Sequence, residues 1–187
     1  MRVIAGESGG LRLVAPKGDR TRPTADRVKE SLFSALGPRV DGAAVLDLYA
    51  GSGALAIEAL SRGARSAVLV DRAHQAIVAI RANLETTRMG DRARVVRRSV
   101  EAVLADPPPP QAPFDLTFLD PPYGQPVSWL TKALEVLGTP GWSAPDSRIV
   151  LEGAVGAAAP SRPPGWDATW ERASGGTIVT VLARLSP

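Results

Sequence analysis

The segment Asp120-Pro121-Pro122-Tyr123 has residues suited to binding an amino group. It directly follows an apolar run at 114–119, so it stands where a buried strand is expected to end. Its prolines stiffen the backbone and remove N–H donors, which leaves the Asp120 carboxylate and nearby carbonyls as acceptors. Such acceptors can hold both hydrogens of an exocyclic NH₂ group while an aromatic ring stacks on the attached base. These four residues are therefore our candidate catalytic group, and a rigid turn is the competing interpretation.

A second segment, from Asp47 to Gly53, has the features of a ligand-binding turn. Gly51 and Gly53 follow an apolar strand and let the backbone approach a ligand closely. With Ala56 they fit the weak dinucleotide pattern G-x-G-x-x-A, and Asp71 stands where a carboxylate accepts ribose hydroxyls. A ligand-free turn and a helix N-cap are the alternatives. The pair predicts an adenosine-type ligand and leaves NAD and S-adenosylmethionine both open.

Apolar strands that alternate with helices must position these segments. Alternation of this kind predicts an α/β, doubly wound, mostly parallel sheet covered on both faces, with an antiparallel pair at one edge. Ligands of such sheets bind beyond the carboxyl ends of the strands, where Asp47, Asp71 and Asp120 all stand. We predict strands at 45–48, 66–70, 94–97, 114–119, 148–152, 166–172 and 177–183, and helices ending near residues 36, 63, 88, 105 and 137.

The N-terminal part of the chain lacks the strand–helix alternation of the remainder. Short apolar stretches at 2–5 and 11–14, around glycines, predict a β-hairpin. A polar stretch follows, and Thr24 can then N-cap a helix that runs to about Leu36. We predict a single domain over 1–187, in which 1–23 form a hairpin and a basic loop extension.

Composition excludes several classes of protein. The chain has 187 residues with 44% hydrophobic and 22% charged, enough for one domain with a core. No apolar run approaches the roughly 20 residues of a membrane helix, and no signal peptide opens the sequence, so we expect a cytoplasmic protein. The absence of cysteine and the single histidine, His74, argue against disulfides, iron–sulfur clusters and a metal site.

The net charge of +3 is unevenly distributed. Residues 1–36 hold seven Lys or Arg against four acidic residues, and residues 88–98 hold five Arg against one Asp. Two basic stretches on an otherwise neutral or acidic body indicate a polyanionic partner. Most of the cations are arginine, whose planar fork suits phosphate and base edges. A merely solvated basic surface is the alternative.

The motifs in this order and spacing resemble a class I S-adenosylmethionine-dependent methyltransferase that acts on an amino nitrogen. The opening M-R-V-I-A-G, the stretch R-P-T-A-D-R-V-K-E-S-L-F at 22–33 and the run Y-A-G-S-G-A-L followed by E-A-L-S-R-G narrow this further. Over nearly the whole chain they resemble the RsmD family, the bacterial 16S rRNA (guanine-N2)-methyltransferases. The resemblance implies a Rossmann-like seven-stranded sheet, S-adenosylmethionine as cofactor, and one guanine of the small ribosomal subunit as substrate.

The resemblance also implies a role for each matched residue. Asp47, Gly51 and Gly53 would cradle the methionine part of the cofactor, Asp71 its ribose, and Arg72 would flank the adenine. Ser99 stands where relatives often place Asp or Asn against the adenine amine, so this contact departs from the family pattern. Ala50 and Val100 complete the expected cofactor residues. The expected RNA contacts are Arg2, Arg12, Lys17, Arg20, Arg22, Thr24 and Arg27.

Three other functions remain open from the sequence. A DNA-adenine or protein-amide methyltransferase would share the D-P-P-Y motif, although the R-P-T-A-D-R segment argues against it. An NAD-dependent oxidoreductase would use the glycines but leave residues 120–123 without a role. A non-catalytic RNA-binding protein would need neither motif. The chain shows no coiled-coil heptads, and we expect a monomer.

Overall fold

Seven strands form one mixed sheet in the order β3-β2-β1-β4-β5-β7-β6. The computed structural model describes residues 1–16, 26–122 and 124–184, so the predictions on Lys17, Arg20, Arg22, Thr24 and Tyr123 lie outside the described residues. The strands are β1 Ala44–Leu48, β2 Ser66–Asp71, β3 Ala93–Arg97, β4 Phe114–Leu119, β5 Ser143–Ala154, β6 Trp166–Ser174 and β7 Thr177–Arg184.

Strands β1 to β5 pair in parallel, and β7 lies antiparallel between β5 and β6. This confirms the predicted doubly wound sheet with an antiparallel edge. All five residues of β1 are buried, as expected for a central parallel strand covered on both faces. Strand β5 is longer than predicted, because its first residues pair with the start of β4 across an irregular register.

Helices cover both faces of the sheet and create two cores. Alternate β1 residues divide between them: Val45 packs with α1, α2 and α3, and Leu46 packs with α4 and α5. The helices are α1 Asp26–Leu36, α2 Ala54–Ser61, α3 His74–Thr87, α4 Val100–Leu104 and α5 Val127–Leu137. Within the described residues, none of these helices combines the length and apolarity needed to cross a membrane.

Residues 1–16 form a tight loop rather than two regular strands. The only β-bridge in this segment joins Arg2 to Arg12, with the backbone bonds Val3 N–H to Leu11 O (2.9 Å) and Gly10 N–H to Val3 O (2.8 Å) beside it. The predicted hairpin is thus present as one antiparallel bridge, and the Ile4 and Ala5 N–H groups beyond it donate to Glu58 of α2.

Candidate active site

A cavity of about 690 Å³ opens beyond the carboxyl ends of the central strands. The topology places it there because β1 and β4 are adjacent while their following helices cover opposite faces, which leaves a crevice between the two sets of loops. The cavity brings together most of the cofactor residues and the catalytic residues suggested by the sequence. Those on its wall are Asp47, Ala50, Gly51, Asp71, Arg72, Val100, Asp120, Pro121 and Pro122.

The glycine turn after β1 has one glycine facing the cavity and one facing the core. Gly51 has φ +56°, and a Cβ there would meet only the Tyr49 carbonyl oxygen, at 3.9 Å. Gly53 has φ +76°, and a Cβ there would lie 2.8 Å from Leu69 Cδ2. Gly51 therefore leaves room for a ligand, and Gly53 lets α2 pack closely on β2.

Asp71, at the end of β2, ties the glycine turn to the start of α3. Its Oδ2 accepts the Gly51 N–H at 2.9 Å, and its Oδ1 accepts the Ala73 N–H at 2.8 Å. Each carboxylate oxygen has a second lone-pair direction, so the same group can also accept hydroxyls. Asp71 is not the N-cap of α3, which is Ala73 and has no side-chain cap bond; its carboxylate tightens the turn before the helix and keeps lone pairs for ribose hydroxyls.

Asp47 is a buried carboxylate beneath the same turn. Its Oδ2 accepts the Ala56 N–H at 3.1 Å. Burial raises the pKa of Asp47 to about 7, and the nearby Asp71 carboxylate adds to the rise, while the Ala56 N–H opposes it. A cationic group arriving in the cavity would favour the ionised form of Asp47.

Asp120 follows β4 on the other side of the cavity. Burial raises the pKa of Asp120 well above its usual value, and the negative charges of Glu152 and Asp47 raise it further. Glu152 lies on β5 and lines the same cavity. Glu152 was not among the residues predicted from the sequence; the signal that could have found it is its position at the predicted end of the strand neighbouring β4.

Ser99 does not line the cavity. Its Oγ accepts the Ala102 N–H at 3.2 Å and so caps α4. Two residues farther along, Glu101 does line the cavity, together with Tyr49 of the glycine turn. Neither Glu101 nor Tyr49 was a sequence candidate, although Tyr49 lies inside the D-L-Y-A-G-S-G motif.

The N-terminal segment forms part of the cavity wall. Met1, Ala15, Pro16 and Lys29 line it. Lys29 is nearly fully buried and pairs with the buried Glu58 at 3.1 Å. This ion pair was not expected from the sequence, because a lysine in an amphipathic helix is usually read as exposed.

The predicted RNA contacts Arg2, Arg12 and Arg27 belong to the N-terminal loop and α1, which line this wall through other residues. Arg12 and Arg27 are exposed, and Arg2 pairs with Asp26 at 3.4 Å. Across residues 1–16, 26–122 and 124–184, no group of three or more His, Cys, Asp or Glu side chains is arranged to hold a metal ion.

Comparison with known proteins gives consistent results. The family model described as conserved hypothetical protein 95 matches residues 1–183. The ribosomal RNA small subunit methyltransferase D of Escherichia coli is 35% identical over 175 residues, which cover 94% of this chain and 85% of that protein. YlbH of Bacillus subtilis is 47% identical over 123 residues, which cover 66% of this chain and 67% of its own.

The structure superposes on that of a solved relative over the full length of both chains. The structure of yhhF from Escherichia coli superposes with a TM-score of 0.86 at 32% sequence identity. The match covers 100% of this chain and 99% of that one. Sequence and fold comparisons therefore both find proteins named as methyltransferases.

Proposed function

Because the chain belongs to the conserved hypothetical protein 95 family, the RsmD family of S-adenosylmethionine-dependent rRNA methyltransferases, we propose that it methylates the exocyclic N2 of one guanine in small-subunit rRNA. One observation supports an amino nitrogen as the methyl acceptor: Asp120, Pro121 and Pro122 line the same cavity as the glycine turn. An acceptor-rich loop and a cofactor turn on one cavity wall suit methyl transfer to an NH₂ group.

The residues present fit S-adenosylmethionine. Gly51 leaves the space that a Cβ would narrow, and the Asp47 and Asp71 carboxylates line the cavity, where they would suit the ammonium and hydroxyl groups that such a ligand carries. The cofactor supplies an activated sulfonium methyl group, so the chain needs to align the acceptor nitrogen rather than activate the donor. We assign Asp47, Ala50, Gly51 and Asp71 to its methionine and ribose parts, and Arg72 and Val100 to its adenine.

Asp120 has two tasks in the proposed reaction. Its carboxylate and the Pro121 carbonyl would accept the two amine hydrogens and stabilise the positive charge that develops on nitrogen. The raised pKa of Asp120 makes it a better proton acceptor than an exposed Asp, so it can take the proton that the methylated nitrogen loses.

The target base must leave its stack to reach this loop. Unstacking costs a few kcal/mol, which stacking on the ring of Tyr123 would partly offset. The basic side chains at positions 2, 12 and 27 would contact phosphates and set the register of the RNA. We further propose that the enzyme acts on a ribosomal particle in the cytoplasm, as a monomer without a metal ion.

Methyl transfer from labelled S-adenosylmethionine into small subunits that lack the modification tests this proposal. Asp120→Asn should keep cofactor affinity while lowering kcat by about 10²- to 10³-fold, because it removes the negative charge that stabilises the positive charge developing on nitrogen. Asp146→Asn, an exposed aspartate away from the cavity, is the matched control and should methylate at the wild-type rate.

Nucleoside mapping of the product then identifies the modified atom. N2-methylguanosine at one position in the subunit supports the proposal. Methylation of DNA adenine, or an Asp120→Asn enzyme as fast as wild type, would overturn it. A parallel reaction with naked 16S rRNA separates the particle from free RNA as substrate.

A further inference from the structure

The side of the cavity toward β2 and β3 carries the residues assigned above to the cofactor's ribose and adenine. Asp71 ends β2 and Arg72 follows it, and both line the cavity. The neighbouring strand, β3, is followed by α4, whose Val100 and Glu101 line the cavity as well. A base attached to a ribose held at Asp71 therefore extends toward the start of α4.

Glu101 supplies a hydrogen-bond acceptor on this part of the wall, whereas the Ser99 hydroxyl is engaged in capping α4. Adenine differs from hypoxanthine by its exocyclic amine, a donor where hypoxanthine has a carbonyl oxygen. A carboxylate accepts hydrogen bonds only, so it favours the amine and repels the carbonyl. Glu101 thus has the chemistry to select adenine.

Tyr49 and Gln125 hold the Glu101 carboxylate in place. The Tyr49 hydroxyl donates to Glu101 Oε1 at 3.3 Å, and Gln125 Nε2 donates to the same oxygen at 3.2 Å. The Tyr49 oxygen in turn accepts the Trp129 indole N–H at 3.0 Å. Burial alone would raise the pKa of Glu101, but hydrogen bonds from its own N–H, Gln125, Ser99 and Tyr49 lower it, so the side chain stays ionised at neutral pH.

The backbone of Tyr49 also points to a positioning role. Its φ is +60°, a conformation that is strained for a bulky side chain and that glycine would adopt more easily. The strained backbone places the ring in the cavity wall and its hydroxyl between α4, α5 and the loop that carries Gln125. A tyrosine at this strained position thus supplies three hydrogen bonds that a glycine would lack.

We propose that Glu101, rather than Ser99, accepts the adenine amine of the cofactor and makes this chain selective for an adenine base, and that Tyr49 is the positioning residue that fixes Glu101. The proposal concerns cofactor binding alone and does not depend on which nucleic acid is methylated.

Binding of two ligands in the absence of RNA tests the proposal. One is S-adenosylhomocysteine and the other is S-inosylhomocysteine, in which the amine is replaced by a carbonyl oxygen. The wild-type chain should bind the adenine compound about ten- to a hundredfold more tightly in calorimetric titration, as expected for a hydrogen bond to a charged group. Glu101→Gln should lose most of this preference, because the amide offers a donor to the inosine carbonyl. Glu85→Gln is the matched control: Glu85 is an exposed residue of α3, and the variant should keep the preference for the adenine compound.

Tyr49→Phe tests the positioning role. It should reduce the preference several-fold in the wild-type background and leave it unchanged in the Glu101→Gln background, because the two residues act through one contact. An unchanged preference ratio in a folded Glu101→Gln protein would overturn the assignment of Glu101. Equal effects of Tyr49→Phe in both backgrounds would overturn its positioning role. If the wild type binds neither ligand, the cofactor assignment itself fails, which is a distinct result.

Discussion

Asp47, Asp120 and Glu152 place several acidic side chains around one cavity. Each carboxylate that is buried there costs free energy in its charged form, and neighbouring negative charges add to that cost. The free protein therefore holds protons that the unfolded chain would release. Binding of a ligand with an ammonium group would favour the ionised form of Asp47, which then releases its proton.

The free protein should accordingly lose stability as the pH rises. Asp47 has its pKa raised from 3.8 to about 7, so between these values the folded chain binds more protons than the unfolded chain and the free energy of unfolding falls. Asp47→Asn should flatten this dependence and be more stable than wild type at pH 8. Urea unfolding at pH 5 and pH 8 checks this.

S-adenosylmethionine provides the control for that experiment. If Asp47 faces the ligand's ammonium group, the cofactor should stabilise the wild type more at pH 8 than at pH 5, and the variant about equally at both. A wild-type profile that rises between pH 5 and pH 8 would contradict the raised pKa.

At this scale the sequence located the carboxylates but not their surroundings. The D-x-x-x-G-S-G and D-P-P-Y patterns identified Asp47 and Asp120 because each follows an apolar strand. That Ser99 caps α4 while Glu101 lines the cavity was hidden, since it depends on which side chain the short helix α4 uses for capping. Such a choice is made by three-dimensional packing rather than by spacing.

At the scale of elements, α1 and the N-terminal loop are joined to α2 by one buried ionic cluster. Glu58 pairs with Lys29 at 3.1 Å and with Arg62 at 2.7 Å, and it accepts the Ile4 and Ala5 N–H groups at 2.7 and 3.1 Å. One carboxylate therefore satisfies two cations and two backbone donors. Such a cluster is costly to break from one side only.

Lys29→Met should destabilise the protein by about 3–5 kcal/mol, because it leaves the buried Glu58 charge without one of its partners. Thermal unfolding measures the loss, and limited proteolysis shows whether residues 1–16 become accessible first. Lys132→Met, an exposed lysine on α5, is the control and should change stability by less than about 0.5 kcal/mol.

The double variant Lys29→Met with Glu58→Gln should recover part of that loss, since the uncompensated charge is gone. If Lys29→Met alone is as stable as the control, the ion pair contributes nothing and the loop is held by its backbone hydrogen bonds.

Sequence patterns located most elements well because the central strands are unbroken apolar runs. The bounds of β4, Phe114–Leu119, agree with the prediction. The N-terminal hairpin, predicted from two short apolar stretches around glycines, pairs over a shorter length than expected: Arg2 and Arg12 form one antiparallel bridge, and the Ile4 and Ala5 N–H groups donate to Glu58. The sequence does not reveal that Glu58 is buried, because acidic side chains in a helix are usually exposed.

At the scale of the whole molecule, exposed arginines lie on more than one part of the surface. Arg12 and Arg27 belong to the N-terminal loop and α1, which also line the cavity, whereas Arg65 precedes β2 at the amino ends of the strands and pairs with Asp115 at 2.9 Å. A polyanion that delivers a base to the cavity should therefore contact the first pair and not Arg65.

Arg12→Gln and Arg27→Gln should each weaken binding to small-subunit rRNA and reduce the slope of log K against log salt concentration by about one. Arg65→Gln should leave both the affinity and the slope unchanged. Filter binding at several salt concentrations measures these quantities. Equal slopes for all three variants would place the RNA on another face.

Met1 lies in the cavity wall, and its sulfur accepts a hydrogen bond from the Ser52 hydroxyl at 3.4 Å. A peptide fused ahead of this residue would start at the cavity wall. Recombinant protein intended for titration or crystallisation should therefore carry its affinity tag after residue 187, or have an N-terminal tag removed without leaving extra residues.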